Sequence, residues 1–128
     1  MNEIVLDASA VLTVIQHERG AERLTADVLI NAVIGAVNLA EVQTKLVKNG
    51  FSPVDGWNVA LELVPNVEPF TAGLARIAGD LITITEPYGL SLGDRSCLAL
   101  AIALKAPVYT TERAWKNIEV GIPIHVIR

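Results

Sequence analysis

Cysteine is nearly missing from this chain. Its one example, Cys97, allows no internal disulfide and no cysteine metal cluster. Set in the apolar run Cys97–Leu104, it reads as a small buried core residue. Long apolar runs are missing too: none approaches the roughly 20 residues of a membrane span. The N-terminus carries no basic flank of the signal-peptide kind. The expectation is a cytoplasmic protein without membrane contact. Positive charge is also in deficit, with 10 Lys and Arg against 14 Asp and Glu, a formal net charge of −4 and a pI near 5.1. Overall charge therefore argues against nucleic-acid binding, which would need a local basic track or bound cations. The histidines, His17 and His125, have no metal-ligand spacing, so each is expected to be structural or exposed. No Ser-His-Asp or Cys-His arrangement is evident, and no phosphate-cradling glycine loop. Repeats, low-complexity tracts and linkers are absent.

What the chain does have is apolar content. At 128 residues and 52% apolar, with a mean hydropathy of +0.44, it is expected to form one domain over residues 1–128 around a sizeable core. The surplus implies a buried partner surface, in a homodimer or a complex with another protein.

Ile4-Val5-Leu6 is a short apolar run that ends on Asp7 and gives way to a helix from Ala8, stopping near His17-Glu18-Arg19-Gly20. A second helix is predicted over Ala21 to Leu29 and a second buried strand over Ala32 to Val37. Asn38 then opens a helix with Leu39, Val42, Leu46 and Val47 as its apolar stripe, ended by Asn49-Gly50. Pro53 starts another, with Trp57, Ala60 and Leu61 on its inner side. Val64 to Pro69 reads as a strand fragment. A longer helix capped by Thr71 is expected to reach Glu86, and one opened by Ser91 to reach Lys105. Val108-Tyr109-Thr110 and Ile124 to Ile127 complete the strands. Strands that are apolar throughout and alternate with helices indicate a parallel sheet covered on both faces, an α/β sandwich.

In such sheets ligands bind beyond the carboxyl ends of the strands, and there the acids fall. Asp7 ends the first strand, Glu41 follows the second, and Glu112 follows the strand ending at Thr110. Asp94, in Ser91-Leu92-Gly93-Asp94-Arg95, opens the most apolar helix; it joins the same rim if that helix begins there. Singly, Asp94 and Glu41 also fit helix-capping spacings. Two carboxylates about 5 Å apart at an effective dielectric near 20 repel by roughly 3 kcal/mol. A cluster must therefore protonate, pair with bases or hold a cation. All-oxygen donors favour Mg²⁺ or Mn²⁺ over zinc, and such ions suit phosphodiester hydrolysis.

Four segments in this order, Ile4-Val5-Leu6-Asp7-Ala8-Ser9-Ala10, Asn38-Leu39-Ala40-Glu41-Val42, Tyr88-Gly89-Leu90-Ser91-Leu92-Gly93-Asp94-Arg95 and Thr110-Thr111-Glu112-Arg113-Ala114-Trp115, carry a resemblance over essentially the whole chain. It resembles the PIN-domain ribonucleases, and among them the VapC-like toxins of type II toxin–antitoxin modules. The resemblance implies a three-layer sandwich with a short, mostly parallel five-stranded sheet, and a Mg²⁺- or Mn²⁺-dependent endoribonuclease site. The family's first three acids map onto Asp7, Glu41 and Asp94. The fourth, usually aspartate, is Glu112 here, a longer arm that could shift ligation from direct to water-mediated. Ser9 and Thr110 are pocket-lining candidates. The family further implies a small antitoxin whose tail blocks the pocket, and homodimerisation.

The expected function is thus an antitoxin-neutralised endoribonuclease leaving a 5′-phosphate and a 3′-hydroxyl. Asp7, Glu41, Asp94 and Glu112 would be catalytic and metal-binding, and Arg95, Arg113, Lys45 and Lys48 would contact RNA; Arg95 could instead pair with a local acid. A second reading is a catalytically weak interaction module whose acidic pocket takes a cation or a basic tail. A phosphoacceptor receiver domain fits less well, because Asp7 is followed by Ala8 rather than a second acid and the matching lysine is missing.

Overall fold

The computed structural model describes residues 2–128. Three-residue β1 (Ile4–Leu6) feeds directly into α1 (Ala8–Ile15), with extended Asp7 between them. A 3₁₀ turn over Ala21–Arg23 precedes the short α2 (Ala26–Leu29), then β2 (Ala32–Gly35), α3 (Ala36–Lys48) and α4 (Pro53–Leu63). The two-residue β3 (Val67–Glu68) leads to α5 (Ala72–Asp80), α6 (Ile82–Thr85) and α7 (Leu92–Leu104). β4 (Val108–Thr110), a 3₁₀ turn over Arg113–Asn117 and β5 (Ile124–Val126) follow.

All strand pairs are parallel, in the order β3-β2-β1-β4-β5. The expected α/β sandwich with a five-stranded sheet is therefore the observed one. The strands lack polar alternation because both faces are covered. Val5, Val33 and Val108 enter the layer that contains α5 and α7, whereas Leu6, Ala32 and Ile34 enter the one that contains α1, α3 and α4. Chain progression moves outward from β1 to β2 and β3, then returns to β4 and β5. The reversal falls between β1 and β4, the kind of crevice where open α/β sheets place ligands.

Several element boundaries differ from the sequence reading. The helix predicted over 21–29 is broken at Leu24, which turns into the core, and Thr25 restarts it by accepting the Val28 amide. β2 stops at Gly35, the true N-cap of α3, so Asn38 lies inside the first turn rather than before it. Val47 and Trp57 are exposed; Gly56 and Ala60 make the inner side of α4. The helix predicted over 71–86 tightens at Leu81, where the Thr83 and Thr85 hydroxyls donate back to the Asp80 and Leu81 carbonyls at 3.0 and 2.8 Å.

Candidate functional site

Asp7 is the most constrained of the acids. It closes β1 at the reversal point and is 3% exposed. Its Oδ2 accepts from two hydroxyls, Ser9 Oγ at 2.7 Å and Thr110 Oγ1 at 2.9 Å. Each hydroxyl also accepts a backbone amide from the segment after β4: Thr111 N to Ser9 at 3.0 Å and Glu112 N to Thr110 at 3.0 Å. Two relays thus tie the loop that follows β4 to one carboxylate oxygen. Oδ1 receives no hydrogen bond among the described residues.

The electrostatics leave this carboxyl short of positive charge. Burial pushes its pKa from 3.8 up to about 6; the Ser9 and Thr110 hydroxyls pull the other way, and the Asp94 and Glu41 charges raise it further. Those causes show that the structure brings Asp7, Glu41 and Asp94 within electrostatic reach of one another. No basic side chain is among them.

Glu41 stands on the second turn of α3. Asn38, buried beneath it, donates from Nδ2 to Glu41 Oε1 at 2.8 Å and to the Gly93 carbonyl at 3.1 Å. The Glu41 carboxylate lies over the Gly93 Cα. A Cβ built there would fall 2.7 Å from Glu41 Cδ, so any side chain at this position would push the Glu41 carboxylate out of its place. The Asn38-x-x-Glu41 spacing predicted as a cap is a side-chain clamp instead, joining α3 to the start of α7. Asn38 and Gly93 are the positions sequence reasoning missed; a glycine directly before an acid at a helix start was the available signal.

Asp94 sits in a capping box: Ser91 Oγ accepts the Asp94 amide at 3.1 Å, and Asp94 Oδ2 accepts the Ser91 amide at 2.9 Å. Glu112 is exposed, opens the 113–117 turn without a side-chain cap, and is not among the charges acting on Asp7. Arg95 turns away from the rim. Its Nη1 donates to the Ala78 carbonyl near the end of α5 at 2.9 Å, and its buried Nε has no partner. Lys45 and Lys48 are exposed in the last turn of α3, roughly 6 and 10 Å along the axis from Glu41. Arg113 follows Glu112 and is exposed.

Among the described residues no three carboxylates, imidazoles or thiols are already gathered as a ligand set. By donor chemistry the rim nonetheless fits a hard divalent cation. Its donors are oxygen only and anionic, one is buried with an unbonded oxygen, and among the described residues none of them forms an ion pair with a basic side chain.

Comparisons with known proteins follow the same lines. A family model described as "PIN domain" matches residues 4–121, while no curated protein matches significantly. Among solved structures, a chain of the Rickettsia felis VapBC2 complex bound to a promoter DNA fragment superposes with a TM-score of 0.74 at 21% identity, covering 94% of this chain and 96% of that one. A chain of DNA-bound VapBC from Salmonella typhimurium gives 0.74 at 17% identity, covering 97% of each. The Mycobacterium tuberculosis toxin VapC20, which cleaves the Sarcin-Ricin loop, gives 0.69 at 18% identity, covering 94% of this chain and 98% of that one. Reading, topology and family model agree, and this chain belongs to the PIN-domain family.

Proposed function

We propose that the protein is a divalent-metal-dependent endoribonuclease, the toxin of a toxin–antitoxin pair. The observation that carries this reading is the buried, cation-starved Asp7 at the crevice between β1 and β4, with Glu41 and Asp94 acting on it. Asp7, Glu41 and Asp94 would hold Mg²⁺ or Mn²⁺. Such an ion supplies Lewis-acid polarisation of a phosphate and promotes ionisation of water at neutral pH.

The protein's own part is positioning. Ser9 and Thr110 fix Asp7 through one oxygen and leave the other without a hydrogen bond among the described residues. Asn38 and Gly93 aim Glu41, and Ser91 fixes Asp94 at the start of α7. Glu112 assists from the edge. Arg113 is better placed than Arg95 to touch an RNA backbone, since Arg95 is engaged with α5.

Fold-level likeness to chains of toxin–antitoxin complexes supports an antitoxin partner. The exposed Ile30, Val54 and Trp57 supply apolar surface for it or for a second copy of this chain. A catalytically weak module is favoured by one observation: Glu112 is exposed and is not among the charges acting on Asp7. The test is cleavage of RNA in Mg²⁺ or Mn²⁺ by the wild type and by Asp7→Asn and Asp94→Asn. Loss by at least 100-fold in both variants is expected. Metal-dependent cleavage persisting in both rejects the site, and a large gain in Glu112→Asp indicates the weak module.

A further inference from the structure

The chain's net charge is −4, yet four of its cations line one cavity of about 460 Å³ beside β5: Arg23, Arg113, Lys116 and Arg128. They come from three separate segments, the 21–23 turn, the 113–117 turn and the residues after β5. No acidic side chain is among the described residues that line it. One long ion pair reaches in, Glu18 to Arg128 Nη1 at 3.8 Å, and Arg113 Nε donates to the Arg128 main-chain oxygen at 3.3 Å. Arg23, Arg113 and Lys116 form no ion pair among the described residues. Like charges converging on an open concavity repel one another, and an anion in the concavity relieves them.

Position links this cavity to the acids. Ile127 N donates to the Thr110 carbonyl at 2.9 Å, so the chain after β5 lies on the edge where β4 ends. Thr110 is bonded to Asp7, and Arg113 is three residues further, a span of at most about 11 Å. His125, exposed on β5, also lines the cavity and stacks on Tyr109 with ring centroids 4.7 Å apart. A held, exposed aromatic ring beside cations is the pairing that single-stranded nucleic acid uses, stacked base and neutralised phosphate.

We propose that this cavity binds the backbone phosphates of single-stranded RNA next to the bond that is cut, with Arg23, Arg113, Lys116 and Arg128 as phosphate ligands and His125 as a base platform. The proposal rests on the nuclease reading of the acidic rim. It also explains how an acidic protein holds a polyanion: the acids and the cations occupy neighbouring stretches of one sheet edge.

The test is binding of a fluorescein-labelled 12-nucleotide single-stranded RNA, read by anisotropy in EDTA over a range of salt concentrations. Arg23 and Lys116 are exposed and make no side-chain hydrogen bond among the described residues, so Arg23→Ala/Lys116→Ala should keep the fold, checked by its melting curve. Expected are binding weakened about tenfold and a salt slope shallower by about 1.4, with Arg76→Ala, on α5 and outside the cavity lining, unchanged. Affinity and slope within twofold of wild type overturn the proposal, also where an acidic peptide such as polyglutamate proves to be the cavity's ligand. Cleavage by the wild type in Mn²⁺ separates the two readings. A protein that does not cleave but loses RNA affinity in the double variant keeps the cavity and loses the nuclease. One that cleaves while the variant binds normally keeps the nuclease and loses the cavity.

Discussion

Asp7 carries a conflict between stability and function that a melting experiment can expose. Its pKa in the folded protein, about 6, lies above the ordinary 3.8 because burial outweighs the two hydroxyl bonds. A raised pKa means that the folded state holds the proton more tightly than the unfolded chain. The associated stability is complete below about pH 3.8 and is lost as pH rises through about 6. At pH 7 the ionised carboxylate costs on the order of 3 kcal/mol, from a pKa raised from 3.8 to about 6 at 1.36 kcal/mol per pH unit. Asp7→Asn should therefore make the metal-free protein more stable than wild type at pH 7.5, with the advantage shrinking toward pH 4. Urea melts of both proteins in EDTA across that range decide it. An advantage that grows as the pH falls contradicts the assignment.

At the scale of elements, α7 is the mount on which the site is built. Cys97 through Ala101 are buried along it, and Gly93 presses against Glu41 of α3. Arg95 ties α7 to α5 within their shared layer, donating to a carbonyl in the last turn of α5, where helix geometry leaves oxygens without intrahelical amide partners. Removing it should act on folding more than on chemistry. Arg95→Ala is expected to lower stability by about 1–3 kcal/mol, measured by denaturant midpoint, while RNA affinity in EDTA stays within twofold. A variant of full stability that has lost RNA binding would show that the side chain leaves Ala78 to meet the substrate.

The whole molecule is a five-stranded parallel sheet with a hydrophobic layer on each face. No helix among the described residues is long and apolar enough to cross a membrane. An ion that binds the folded rim and not the unfolded chain must stabilise the entire domain. At 100 times its dissociation constant the gain is about 2.7 kcal/mol, or roughly 10 °C in Tm for a domain of this size. Mn²⁺ titration followed by differential scanning calorimetry should show this shift in the wild type and little of it in Asp7→Asn. Equal shifts in the two would place the ion elsewhere.

The sequence alone determined the sandwich class, because strands without polar alternation can be covered only on both faces, and the junctions where Asp7, Glu41 and Glu112 sit, because strand ends are marked by where apolar runs stop. It also marked Asp94, through a capping box that is purely local. Local pattern could not say that the helix predicted over 71–86 tightens at Leu81, since back-bonding by Thr83 and Thr85 competes with helix propensity that looks continuous. Nor could it say what Asn38 does, because its second partner, the Gly93 carbonyl, is 55 residues away. Tertiary structure alone decided the strand order, and with it that Asp7 meets Thr110. It turned Arg95 inward and drew Arg23, Arg113, Lys116 and Arg128 together. The physical reason is common to these cases: secondary structure follows from neighbours along the chain, whereas charge convergence depends on crossover connections whose geometry only the packed sheet settles.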